Sequence, residues 1–130
     1  MSVCADKDWS MELLKDDSTE PERFNFRDVK VVNGILTGKV YDSNKNVTYL
    51  RGTCSTLGYM AHMTFFFTAA KKGGGYVDIV LLGWGLEVPG QQPVFNGRFE
   101  VFTSASQGTS VGGVTFDPGD TGTGTGMQAQ

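Results

Sequence analysis

One histidine and two cysteines in 130 residues leave little material for metal or thiol chemistry. With His62 as the only imidazole, most zinc sites are excluded, and any Ser/His/Asp triad would have to run through that one residue. Cys4 and Cys54 form neither a CxxC pair nor a disulfide framework, so two free thiols in a reducing compartment are the expectation. The longest uncharged apolar run, residues 79–86, is far too short to cross a bilayer as a helix. The opening MSVCADKDW has no basic segment followed by an apolar one, so no signal peptide is read and a cytoplasmic location is expected. A GxxxxGK[ST] phosphate loop is absent as well. Gly73-Gly74-Gly75 follows two lysines but joins apparent strands, and reads as a hairpin loop. No motif implies a cofactor or a metal.

Charge is modest and unevenly placed. The formal net charge is −3, and residues 1–23 carry Asp6, Asp8, Glu12, Asp16, Asp17, Glu20 and Glu22 against Lys7, Lys15 and Arg23. No basic stripe remains to neutralise a phosphate backbone, which argues against nucleic acid as a partner.

Glycine is abundant, at 18 of 130 residues, and falls between apolar runs and in the last twenty positions. That placement suits tight turns, strand kinks and a flexible end. Residues 1–23 read as an acidic arm in which Ser10 could cap a short helix through Leu13 and Leu14, with Trp9 stapled onto it. From Phe24 the period becomes two. Strands are expected over residues 24–32, 35–41, 46–54, 61–70, 76–88 and 94–103, with a possible seventh at 111–116 and a strong hairpin turn at Asn33-Gly34. Residues 117–130, with three Thr-Gly pairs, have nothing apolar to bury and read as a disordered tail. The fold class predicted is all-β, an antiparallel up-and-down barrel of about seven or eight strands with a short N-terminal arm.

Parity along each strand separates its two faces. Ala61, Met63, Phe65, Phe67 and Ala69 make the better core face of the 61–70 strand, leaving His62, Thr64, Phe66 and Thr68 opposite. The 76–88 strand is apolar on both sides, with Val80, Leu82 and Trp84 on one and Val77, Ile79 and Leu81 on the other. Both sides then need cover, and with no long helix to supply it a homo-oligomer, dimer or tetramer, is expected, coverage by the arm being the rival.

Six residues are candidate ligand contacts. Trp84 offers a large face to line a cavity or anchor an interface, and Tyr49 a phenol. Asp78 interrupts an apolar strand, so it faces solvent or pairs with Arg51 or Arg98, themselves able to hold a polar ligand. His62 is either structural or a general base oriented by Asp78 or Glu87.

The segments Ile35-Leu36-Thr37-Gly38-Lys39-Val40-Tyr41-Asp42, Leu82-Gly83-Trp84-Gly85-Leu86 and Phe95-Asn96-Gly97-Arg98-Phe99 resemble the avidin- and streptavidin-like members of the calycin superfamily. The resemblance implies an up-and-down barrel, often dimeric or tetrameric, that holds a small apolar ligand at one end. Those binders surround biotin with several tryptophans. Here residues 24–116 contain only Trp84, so biotin binding is not carried over. The function expected is noncovalent binding of a small, partly apolar molecule in the barrel cavity. Two alternatives stand beside it: a cyclase or isomerase acting on an apolar substrate there, and a structural or interaction protein that forms a homo-oligomer.

Overall fold

A computed structural model describes residues 3–108 and 112–130. Eight antiparallel strands close into an up-and-down barrel in which each strand pairs with its sequence neighbours and the last with the first. They are β1 (Trp9–Lys15), β2 (Glu22–Val32), β3 (Ile35–Asp42), β4 (Val47–Leu57), β5 (Met60–Ala70), β6 (Tyr76–Leu86), β7 (Val94–Thr103) and β8 (Thr121–Gln128). Asn33 and Gly34 both have positive φ, 52° and 79°, as a two-residue hairpin between right-twisted strands requires. At the next turn the Asp42 carboxylate accepts from the backbone N–H groups of Asn44 and Asn46, both at 2.9 Å, and so replaces ladder partners with local ones.

Three readings of the sequence need correction. The expected helix at Ser10–Lys15 is β1, because Trp9, Met11 and Leu13 alternate with exposed Ser10 and Glu12 and all three enter the core. The expected disordered tail supplies β8, paired from Thr121 to Gln128 with β1 on one side and β7 on the other. The thiols are not free: Cys4 and Cys54 form a disulfide. The possible strand at 111–116 begins outside the described residues. Its described part holds a single bridge, between Val114 and Lys71, in place of a strand.

The inside of the barrel is packed. The predicted core face of β5, Ala61, Met63, Phe65, Phe67 and Ala69, is buried throughout. Phe26 meets both Phe65 and Phe67, at ring-centroid distances of 5.1 and 5.4 Å, and Phe65 also meets Phe95 at 5.3 Å. These tilted and edge-on contacts fill the axis of the barrel with ring edges set against ring faces. Of the described polar and charged residues, Gln128 alone is buried.

Both ends are covered. Val3 is buried over Gly85 at one mouth, where the Gln128 side-chain amide donates to its carbonyl at 2.8 Å. The disulfide ties this plug to β4, and Asp6 accepts from the Val31 N–H at 2.8 Å, which ties it to β2. At the other mouth residues 112–120 carry Val114 and Phe116 back over the core, and the Phe116 ring lies 5.1 Å from that of Phe99.

The Thr-Gly alternation of β8 explains how a strand with no inward apolar side chain can wall a core. Its glycines face inward, and the space their side chains would take is filled by Phe99 against Gly122, Leu81 against Gly124 and Met11 against Gly126. A Cβ at Gly122 would also run into the Leu14 carbonyl oxygen, part of the neighbouring backbone. Gly122→Ala is therefore expected to lower stability by about 1–3 kcal/mol through overpacking. Thr123→Ala, on the exposed face of the same strand, should stay within about 0.5 kcal/mol. Denaturant titration of the two variants checks the contrast. Reduction of Cys4–Cys54, which spans a sequence separation of 50, should lower stability by about 4 kcal/mol in the chain-entropy account. Thermal melts with and without reductant measure that loss.

Candidate functional site

All six residues singled out in the sequence lie on the outside of the barrel. Their inward neighbours are Leu50 beside Tyr49 and Arg51, Ala61 and Met63 around His62, Val77 and Ile79 around Asp78, and Phe99 beside Arg98, every one of them buried. Trp84 follows the same parity and is 42 % exposed. None of the six reaches the interior, and no acid or base among the described residues is buried in it. The structure does bring two of them together. His62 and Trp84 stand opposite each other in the β5–β6 ladder with ring centroids 5.1 Å apart, edge to face.

The others have separate partners. Asp78 lies opposite Thr68 and accepts from its hydroxyl at 2.7 Å, so neither arginine is its counter-ion and it does not orient His62. Arg98 donates through Nη1 and Nη2 to the two carboxylate oxygens of Asp16, at 3.0 and 2.8 Å. Tyr49 is exposed, and Arg51 stands beside Phe66 across the β4–β5 ladder.

The outer surface of the other half of the barrel carries a groove that parity reasoning within single strands did not reveal. It has a volume of about 680 Å³ and is open to solvent. Two rows of outward side chains form its lips. One row runs Val94, Met127, Ser10, Asn25 and the other Asn96, Thr125, Glu12, Arg23, each member paired in register with the next across β7, β8, β1 and β2. Between the rows, Phe95, Met11 and Phe24 turn inward and Gly126 has no side chain, so the floor is backbone. Four strands at about 4.8 Å spacing make it roughly 15 Å long.

Its chemistry is amide, hydroxyl and aliphatic. The only charges in the lips, Glu12 and Arg23, neutralise each other in an ion pair of 2.9 Å. Ser10 donates to Asn25 Oδ1 at 3.3 Å. Glu22 lies outside the groove, on the same side of β2 as Phe24 at the mouth covered by Val114 and Phe116; burial pushes its carboxyl above the ordinary range, partly offset by the N–H of Thr115 at 3.1 Å. No group of three His, Cys, Asp or Glu suited to a metal ion occurs among the described residues, and no helix among them is long and apolar enough to cross a membrane.

Comparison of the chain with protein-family models, curated proteins and solved structures gives no match. The eight-stranded up-and-down barrel is consistent with a calycin-like fold, and the likeness to the avidin group extends no further than that architecture.

Asp16 provides the clearest electrostatic feature near the groove. It accepts two hydrogen bonds from Arg98 and one from the Thr121 hydroxyl at 2.7 Å, linking the end of β1 to β7 and β8. The Arg98 bonds, then that of Thr121, hold its carboxyl below the usual value of 3.8. A depressed folded-state pKa contributes stability above the unfolded value, and that contribution disappears as pH falls through the folded one. The stability difference between the natural chain and Asp16→Asn should therefore be constant near neutral pH and shrink once pH drops below about 4. Denaturation midpoints of both proteins from pH 7 to pH 2 test the sign.

Proposed function

We propose that the chain is a noncatalytic binder of small, uncharged, partly apolar molecules, and that it holds them in the outer groove of β7, β8, β1 and β2. The observation that carries this reading is the pairing of a filled interior with a neutral, backbone-floored groove of about 680 Å³ outside. Small-molecule sites combine apolar contact with a few placed polar groups. Val94 and Met127 offer the apolar contact, while Asn96, Asn25 and Ser10 offer donors and acceptors to a hydroxyl or carbonyl. Because Glu12 and Arg23 cancel, neither an anion nor a cation is favoured.

A cyclase or isomerase working inside the barrel has less support. General acid–base work needs a titratable group within reach of the substrate, and among the described residues Gln128 is the one buried polar side chain. A cytoplasmic location also loses the support of free thiols. The Cys4–Cys54 disulfide favours an oxidising setting.

Titration of the labelled protein with phenyl and alkyl glycosides and short aliphatic alcohols, followed by amide chemical shifts, tests the binding reading. Shifts are expected at Asn96, Thr125 and Gly126, with Phe65 and Phe67 unmoved. Thr125→Trp, which fills the groove from an exposed position, should abolish them and leave the melting temperature within about 2 °C. Absence of any response to the panel, or shifts confined to the core, would remove the proposal.

A further inference from the structure

The outer face of β5 and β6 carries large apolar side chains that the barrel leaves exposed. Phe66 is 47 % exposed, Leu82 48 % and Trp84 42 %, while Val80 between them is half-buried. The inner face of the same strand β6 is fully committed to the core, since Val77, Ile79 and Leu81 are buried. The plug at residues 3–8 closes the mouth of the barrel, so the arm does not cover this face. A contiguous exposed apolar patch rimmed by polar groups marks an interaction surface.

The rim identifies the partner. The ladders place Arg51, Phe66, Val80 and Glu100 in one row across β4, β5, β6 and β7. The cation and the anion thus stand at opposite ends of a row whose two central members are apolar. Three of the four arginines already have a carboxylate within the chain: Arg23 with Glu12, Arg27 with Asp8 and Arg98 with Asp16. Among the described residues no ion pair engages Arg51 or Glu100.

We infer that this face binds a second copy of the chain around a two-fold axis lying between β5 and β6 and parallel to them. A rotation about that axis lays β6 of one copy over β5 of the other. It brings Arg51 against Glu100 of the other copy, and the reverse, with Phe66 against Val80 between them. Two outward rows further along, past Thr64 and Leu82, Trp84 meets His62 of the other copy, and one row away on the opposite side Asp78 meets Thr68. An isologous interface must be self-complementary in this way. The alternative axis, perpendicular to the strands through the same row, would set Arg51 on Arg51 and Glu100 on Glu100. Like charges opposite one another are disfavoured, so the placement of charge selects one symmetry. Aligned strands in the two facing sheets also match the usual sheet-on-sheet geometry. Because strands in a closed barrel tilt, a row of hydrogen-bonded neighbours climbs as it turns, and it curves less than the barrel's girth. That gentler curvature lets the long arginine and glutamate side chains close over the rim.

Charge reversal tests this directly, by sedimentation equilibrium over about 1–200 µM, a range that covers a weak interface of this size. The natural chain is expected to dimerise. Arg51→Glu and Glu100→Arg should each weaken the dimer about tenfold or more, since each creates two repulsive contacts. The double variant, with the pair exchanged, should return to within about threefold of the natural chain. Acrylamide quenching supplies a second readout. Dimerisation should shield Trp84, while the buried Trp9 contributes an unchanging background. Both positions are outward-facing, and circular dichroism confirms that each variant is folded. A chain that stays monomeric throughout, single reversals without effect, or a double variant no better than the singles would each overturn the inference. The dimer face and the groove occupy different sides of the barrel, so ligand shifts at Thr125 and Gly126 can be read in the Arg51→Glu monomer independently.

Discussion

Closure of the barrel by β8 is the constraint on which the remaining structure depends. Without it, β1 and β7 would be open edges with unpaired N–H and C=O groups, and the aromatic core would be exposed along one side. A strand in this position must satisfy two ladders at once while taking almost no room inside, because Met11, Leu81 and Phe99 already occupy that space. Alternating glycine and threonine meets both demands. The glycines leave the interior to their neighbours' side chains, and Thr121, Thr123 and Thr125 put β-branched residues on three of the outward positions, where extended backbone is favoured. Asp16 then clamps the seam from outside through Arg98 and Thr121.

This arrangement also determines what kind of site the molecule can have. A small eight-stranded barrel either encloses a ligand or fills with its own side chains. Here Phe24, Phe26, Phe65, Phe67 and Phe95 meet along the axis, Val3 covers one mouth and Phe116 the other. The stretch of β8 that makes room inside also lines the groove outside, through Thr125, Gly126 and Met127. The groove is thus a consequence of how the barrel closes.

The architecture was legible wherever a strand carried its own apolar alternation. Met63, Phe65 and Phe67 declare the core face of β5 without reference to any other segment. β8 could not be read in this way, because burial on its inward face is supplied by residues far away in sequence and leaves no hydrophobic period behind. At β1 the alternation of Trp9, Met11 and Leu13 was present, but Leu14 beside Leu13 and a serine able to cap gave a short helix equal local support. The disulfide depended on the plug: only when residues 3–8 fold across the mouth does Cys4 come within reach of Cys54. The candidate site residues were grouped correctly by parity yet left without a side, since Gly83 and Gly85 weaken the apolar signal of the inner face of β6 and Leu82 and Trp84 strengthen that of the outer.

That last ambiguity has a physical origin. A strand buried on one face has no structural need for Leu82 and Trp84 on the other, and exposing them costs solubility that a charged pair of residues would preserve. Polar residues do occupy the equivalent outward positions of β7 and β8, where Asn96, Arg98, Thr123 and Thr125 stand in the same rows as Trp84 and Leu82. The difference between neighbouring strands of one closed sheet therefore cannot come from the requirements of the barrel. The opposed charges of Arg51 and Glu100 at the two ends of the apolar stretch fit the two-fold pairing inferred for this face.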